Sequence, residues 1–285
     1  MSALETTTAL DRHYDFCLWE YQPPTAPLGK LRSVNLLNLS FAAHPDQASF
    51  AALIAALRAG LGEMRTVWGI KQSAAGQAWE FYFYDYGRLQ RERSMARVRE
   101  IIAPWAPSDI PPADHHPYFM FSIDFDPVAL ARAQPLHDIQ MYVGNVGSTV
   151  SSGICYELTR EAMLLKNFYF FFDARTQMQA VIDKVTSSAY LDPGLHLDTL
   201  LWPELRRCQT IVVANKRTHD GLYFCRITVD QLLLFLRRMQ YPQEQVAFVE
   251  LHRDRLDHLL YDVGIDFRME GGQLRILKSA YYGVF

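Results

Sequence analysis

Tyrosines, lysines and a glutamate recur at alternate positions along extended runs of this chain, the spacing that places side chains together on one face of a strand. In Trp79-Glu80-Phe81-Tyr82-Phe83-Tyr84-Asp85-Tyr86, residues Glu80, Tyr82, Tyr84 and Tyr86 share one face, and Trp79, Phe81 and Phe83 the other. Near the C-terminus, Lys278, Ala280 and Tyr282 alternate with Ser279 and Tyr281. Lys71, Lys166, Lys216 and Arg226 sit in or beside other such runs, as do Tyr142, Tyr156, Tyr169 and Tyr223. Cations from several strands that converge would hold an anion, with tyrosine hydroxyls as neutral donors. Aromatic faces beside them would stabilise a carbocation through their quadrupoles. A diphosphate at one end and a cation at the other is what prenyl transfer requires. Taken singly, each residue also has an ordinary reading: strand tyrosines pack half-buried, and edge lysines guard against aggregation.

The elements that must position these residues follow from turn signals and periodicity. A proline-rich stretch, Gln22-Pro23-Pro24-Thr25-Ala26-Pro27, marks residues 1–30 as an irregular segment draped over the surface. Leu31–Phe41 reads as a β-like run, and Ala48–Leu61 as a helix opened by Asp46 and stopped by Gly60 and Gly62. A hairpin-then-helix unit then recurs. Thr66–Lys71 and Trp79–Tyr86 precede a helix from about Leu89 to Ile102. Ser152–Thr159 and Leu164–Phe172 precede a helix capped by Asp173. Thr210–Asn215 and Leu222–Ile227 precede a helix opened by Thr228 or Asp230. Tyr118–Phe125 and Ile139–Tyr142 flank a short helix from Pro127, and Ile265–Met269 and Leu274–Tyr282 form a last hairpin. Three strand ends carry a carboxylate suited to capping the next helix: Asp85, Asp124 and Asp173.

Strands joined by tight turns are antiparallel, and a sheet of about ten strands curls or closes. The fold class expected is therefore α+β: a closed antiparallel β-barrel of about ten strands, built from ββα repeats with helices outside. Residues 31–285 form one barrel domain whose lumen leaves room for a ligand.

Composition is globular, with 49% hydrophobic and 21% charged residues. The net charge of −3 gives no field that would recruit nucleic acid or an anionic membrane. The four cysteines, Cys17, Cys155, Cys208 and Cys225, lack metal-ligand spacing and read as reduced thiols. With no apolar leader or span, a soluble cytoplasmic protein is expected. Asp114-His115-His116 lies between prolines without a partner at helical spacing and reads as a solvated loop, so no resident metal is expected.

The hairpin-helix repeats and the closing Leu274-Arg275-Ile276-Leu277-Lys278-Ser279-Ala280-Tyr281-Tyr282 resemble the ABBA aromatic prenyltransferases. Lys166-Asn167-Phe168-Tyr169-Phe170 resembles that family's central unit, and Phe121-Ser122-Ile123-Asp124 echoes it. The resemblance implies a ten-stranded PT-barrel with its active site in the lumen. It also implies transfer of a dimethylallyl or geranyl group from its diphosphate to an aromatic, electron-rich or amino-acid or peptide acceptor. Lys71, Lys166, Lys216, Arg226, Lys278 and Tyr282 would hold the diphosphate. Tyr82, Tyr84, Tyr142, Tyr156, Tyr169 and Tyr281 would shield prenyl group and acceptor, and Glu80 or Glu157 would take the acceptor's proton. A magnesium ion riding on the diphosphate is compatible with this, whereas no Asp-Asp-x-x-Asp element is present. The chain departs from the family in Ile139–Tyr142, which lacks a lysine that Gln140 or Arg132 would replace. It departs again in the loop Gly144–Ser152, readable as a backbone phosphate nest or a plain surface loop.

Two alternatives stand beside this. Leu195-His196-Leu197-Asp198-Thr199 is similar to the His-x-Asp segment of guanidine-modifying penteins, which are repeat-built propellers that need a nucleophilic cysteine. A barrel that binds a hydrophobic ligand without catalysis fits the composition equally well.

Overall fold

Ten strands answer the alternating pattern, and in the computed structural model they close into one antiparallel ring in the order β1-β10-β9-β8-β7-β6-β5-β4-β3-β2. The structure describes residues 4–42, 44–86, 91–145 and 150–285. The strands are β1 (Thr66–Ser73), β2 (Gly76–Tyr84), β3 (Tyr118–Phe125), β4 (Ile139–Gly144), β5 (Ser152–Leu158), β6 (Met163–Asp173), β7 (Thr210–Lys216), β8 (Asp220–Ile227), β9 (Tyr261–Glu270) and β10 (Gln273–Val284). The ring closes where β10 pairs with β1, with Gly69 opposite Tyr282 and Lys71 opposite Ala280. Closure leaves no free sheet edge.

The helices are α1 (Val34–Phe41), α2 (Gln47–Leu61), α3 (Met95–Ile102), α4 (Pro127–Ala131), α5 (Met178–Thr186), α6 (Val229–Arg238), α7 (Gln243–Leu251) and α8 (Arg253–Leu256). They pack against much of the outward strand surface, while Leu164, Leu165 and Phe168 of β6 stay exposed. One large core joins Trp68, Trp79, Phe81, Phe83, Phe121, Phe267 and Tyr281 from the strands to Leu36, Leu53, Val98 and Phe235 from the helices. Each such side chain withdrawn from water contributes roughly 1.5–3 kcal/mol. A second cluster (Val67, Tyr82, Tyr84, Met120, Tyr142, Cys155, Ala280, Tyr282) faces inward. Among the described residues no helix is long and apolar enough to cross a membrane.

Several local expectations are corrected. The run Leu31–Phe41 holds α1 rather than a strand: Val34, Leu37 and Phe41 fall on one buried helical face, and the Asn35 side chain donates to Arg32 and Glu5 carbonyls. Among the described residues, none of the three expected cap carboxylates caps a helix. Ser94 caps α3, its hydroxyl accepting from Arg97 N–H at 3.0 Å. Asp126, two residues beyond Asp124, caps α4. Asp173 accepts from the N–H groups of Arg175 and Thr176 in a turn that precedes α5. Thr228 does open α6, in a reciprocal capping box with Gln231.

The N-terminal segment is not merely draped. Leu31 is fully buried and bridges to Thr6, and residues 13–21 fold across one end of the barrel around a bridge between Tyr14 and Glu20.

Register shifts matter for the lumen. β-bulges at Lys166, Arg226 and Leu277 insert one residue into the ladder and reset which face follows. Ile276 packs outward, and the shift at Leu277 turns Lys278, Ala280 and Tyr282 inward opposite Asp266, Gly264 and Asp262.

Candidate active site in the barrel lumen

Strand alternation lines the lumen in two tiers. At one end β1, β7 and β10 contribute Lys71, Lys216 and Lys278, interleaved with Glu80 of β2, Asp124 of β3 and Asp266 of β9. Lys71 Nζ lies 2.5 Å from Glu80 Oε2 and also bonds Asp124. Lys216 donates to Asp266 Oδ1 at 2.6 Å and to the Tyr223 hydroxyl at 3.1 Å. Lys278 meets Asp266 Oδ2 at 3.0 Å and keeps 34% of its side chain exposed. His219, in the β7–β8 turn, is 3.3 Å from the same Asp266 oxygen.

The charges tune one another. Burial alone would raise the Glu80 carboxyl, but Lys71, Lys278 and the hydrogen bonds from Lys71 and Ser122 hold it down at about 2. Burial likewise opposes an ionised Asp266, yet Lys216, Lys278 and His219 hold it well below the usual range. Lys278 is pushed down, by burial first and by Lys71 and Lys216 next, with Asp266 opposing. It is a cation crowded by cations, the condition in which an added anion is welcome.

Glu80 is the hinge between tiers: it accepts from Ser122 Oγ and from Tyr82 Oη, each at 2.5 Å. Beyond it Tyr82, Tyr142, Tyr169, Tyr223 and Tyr282 surround a cavity of about 60 Å³, with Met120 and Phe171. Ring centroids are 5.8 Å apart for Tyr142–Tyr169 and 5.9 Å for Tyr82–Tyr282. Burial pushes these five phenols well above 10, so they remain neutral donors.

The structure thus brings together Lys71, Lys216, Lys278, Tyr282, Glu80, Tyr82, Tyr142 and Tyr169 from among the expected site residues. Lys166 and Glu157 are bound to each other at 2.8 Å on the β5–β6 side of the charged end. Glu157 thus has a lysine partner, as Glu80 does; Glu80 in addition accepts from Tyr82 of the tyrosine tier, and Asp266 lies 3.5 Å from the Tyr223 hydroxyl. Tyr84 faces the lumen farther along, where its hydroxyl bonds the Phe16 carbonyl.

Three residues do not belong to the charged end or the tyrosine tier. Arg226 lies at the opposite end, because the bulge at φ 61° turns it away. There it donates to Asp15 at 2.8 Å and to Gln209 at 2.8 Å. Tyr156 and Tyr281 point outward, since their neighbours Cys155 and Tyr282 take the inward face; Tyr281 donates to Gln245 of α7 at 3.1 Å. Residues that sequence reasoning passed over are Asp262, Asp266, His219, Phe16 and the inward role of Asp124. The pattern Asp262-x-Gly264-x-Asp266 carried the same alternation signal as the tyrosines.

The loop read as a phosphate nest lies partly outside the described residues, at 146–149. Among the described residues no group of three or more His, Cys, Asp or Glu side chains is arranged to hold a metal ion. Glu80, Asp124 and Asp266 are each engaged by lysine.

No protein-family model matches the chain. Nor does any curated protein match it. The site is therefore read from its own chemistry. A closed barrel is not a propeller, and burial pushes every thiol up, Cys155 and Cys208 to about 12. Asp198 is engaged by Arg206 in a surface turn. No activated thiolate is left for guanidine chemistry.

Proposed function

We propose that this chain transfers an allylic group from a prenyl diphosphate to an electron-rich acceptor inside the barrel. The observation that carries the reading is the stacking of a three-lysine tier directly on a five-tyrosine tier, with Glu80 bonded to both. A diphosphate placed among Lys71, Lys216 and Lys278 would find cations already oriented, so charge developing on the leaving group is met without reorganisation. Lys278, crowded and accessible, is the natural first contact. As the allylic C–O bond breaks, its electron pair leaves with the diphosphate, and the tyrosine faces shield the allyl cation from water. The acceptor's electron pair forms the new bond, and its proton passes to Glu80, whose basicity rises as the diphosphate draws Lys71 and Lys278 from it.

Dimethylallyl or geranyl diphosphate is the proposed donor, with an aromatic small molecule or a peptide side chain as acceptor against the apolar, tyrosine-lined wall. The free cysteines accord with a reducing compartment such as the cytoplasm. The test is incubation with both diphosphates and a panel of indoles, phenols and amino acids. Product is expected from the wild type, and Glu80→Gln should lower kcat by roughly 10²–10⁴ while leaving diphosphate affinity within a few-fold. No product across the panel, together with no thermal shift by inorganic pyrophosphate, would sink the reading. A non-catalytic ligand-binding barrel instead predicts that acceptors bind and that Lys278→Ala changes nothing.

A further inference from the structure

The tyrosine tier already holds a ring that belongs to no strand. Residues 13–21 form a loop whose tip enters the lumen, turned by Leu18 at φ 53° and by a bond from Leu18 N–H to the Asp15 carbonyl at 2.9 Å. The Asp15 carboxylate holds the loop from within, accepting from the N–H groups of Cys17 at 2.9 Å and Trp19 at 3.0 Å. At the tip, the Phe16 ring centroid stands 4.6 Å from that of Tyr282, and 4.8 Å from that of Tyr82 at an interplanar angle of 77°. Tyr84 is edge-on at 6.4 Å. Tyr82 is the residue whose hydroxyl donates to Glu80, so Phe16 lies one side chain away from the carboxylate assigned to take a proton.

Two features separate Phe16 from an ordinary wall residue. It borders the cavity and is itself partly exposed to it, whereas the tyrosines it touches are buried. And what fastens the loop is a short set of polar bonds at the barrel mouth. Phe16 N–H donates to Asp262 at 2.7 Å, Tyr84 donates to the Phe16 carbonyl, and Tyr86 donates to the Cys17 carbonyl at 2.5 Å. Arg226 spans Asp15 and the carbonyls of Trp19 and Glu20. Cys17 and Cys225 are both free thiols, so no covalent tie exists there. The loop is not part of the strand ladder, so it can withdraw without breaking the ring of strands.

We propose that Phe16 is an intramolecular occupant of the acceptor site: its ring takes the place of the acceptor's ring against Tyr82 and Tyr282, and the loop withdraws when an aromatic acceptor enters. The inference rests on the tyrosine tier being the acceptor chamber. It follows that acceptor affinity is reduced by the fraction of molecules with the loop inserted. Removing the ring empties apolar space beside the cavity, and an apolar void of about 150 Å³ is enough to bind benzene.

The test uses the full chain and indole, without a prenyl donor. Folded Phe16→Ala should bind indole about tenfold more tightly than the wild type by calorimetry. In the wild type, saturating indole should speed amide hydrogen exchange across residues 14–21 while β10 amides stay protected; this second measurement needs no variant. Equal or weaker binding by folded Phe16→Ala overturns the inference. So does slower exchange across 14–21 with indole, because the ring would then be a wall of the site. Absence of indole binding to both proteins overturns it too. Turnover is scored separately: loop opening without prenyl transfer removes the reaction and leaves the occupant, and prenyl transfer without loop opening does the reverse.

Discussion

Tyr223 lies flat against Gly264 on the neighbouring strand: a Cβ carried at position 264 would fall 2.3 Å from Tyr223 Cδ1 and 2.6 Å from Cε1. The ring can recline on the wall because nothing projects there, and from that pose its hydroxyl reaches Lys216. Gly264→Ala should tip Tyr223 into the lumen and break that bond. We expect a loss of stability of about 1–3 kcal/mol, as for an overpacked core, read by urea unfolding. Pyrophosphate affinity should fall with it, read by calorimetry.

Lys278→Ala removes the accessible cation without orphaning its partner, since Asp266 keeps Lys216 and His219. The fold should therefore survive. Inorganic pyrophosphate binding should weaken by roughly 10–100-fold, the worth of one charge-assisted contact of about 1.5–3 kcal/mol. Calorimetry at fixed ionic strength checks it, and an unchanged Kd removes Lys278 from the diphosphate site.

Lys71→Met behaves differently, because it strands Glu80, whose side chain is 6% exposed. Breaking a buried pair from one side costs about 3–5 kcal/mol. The hydrogen bonds from Ser122 and Tyr82 place this case toward the lower figure. Because Lys71 depresses the Glu80 carboxyl, the pair's stabilisation is present above the unfolded value near 4.5 and fades as pH falls towards 2. The deficit of the variant in thermal unfolding should accordingly shrink between pH 5 and about pH 3.

Asp262 has the opposite sign. Burial, and then the nearby Asp15, push its carboxyl up to about 7, against the opposing N–H groups of Phe16 and Arg226. Below about pH 4 it is protonated folded and unfolded alike. As pH rises from 4 to 7 the unfolded chain gives up this proton first, so the folded state loses stability. Asp262→Asn should gain on the wild type over that window, measured as the difference in Tm at pH 4.5 and pH 7.5. A difference that does not grow with pH refutes the account.

The ring of strands was legible because hairpin spacing and alternation survive in the sequence: Glu80, Tyr82 and Tyr84 face inward as their period requires. Side was harder to read than register. Tyr281 and Tyr282 are adjacent and chemically equal, and the choice between them is made by Gln245 on α7 and by the bulge at Leu277, neither visible locally. Arg226 was misplaced for the same reason, one inserted residue reversing its direction. Asp124 and Asp173 looked alike as strand-end carboxylates, but Asp124 meets Lys71 across the intervening strand β2 while Asp173 satisfies its own turn. The proline-rich composition of residues 22–27 hid the fact that Phe16, a few positions earlier, reaches the lumen.

The seam between β1 and β10 joins residues about two hundred positions apart, Val67 to Val284 and Ser73 to Lys278. The ring cannot shut until that final strand has emerged from the ribosome, so during synthesis nine strands wait with two unpaired borders. Such long-range pairing makes folding slow. It also makes the lysine cluster a product of closure: Lys71 on β1 and Lys278 on β10 are brought side by side by the seam itself.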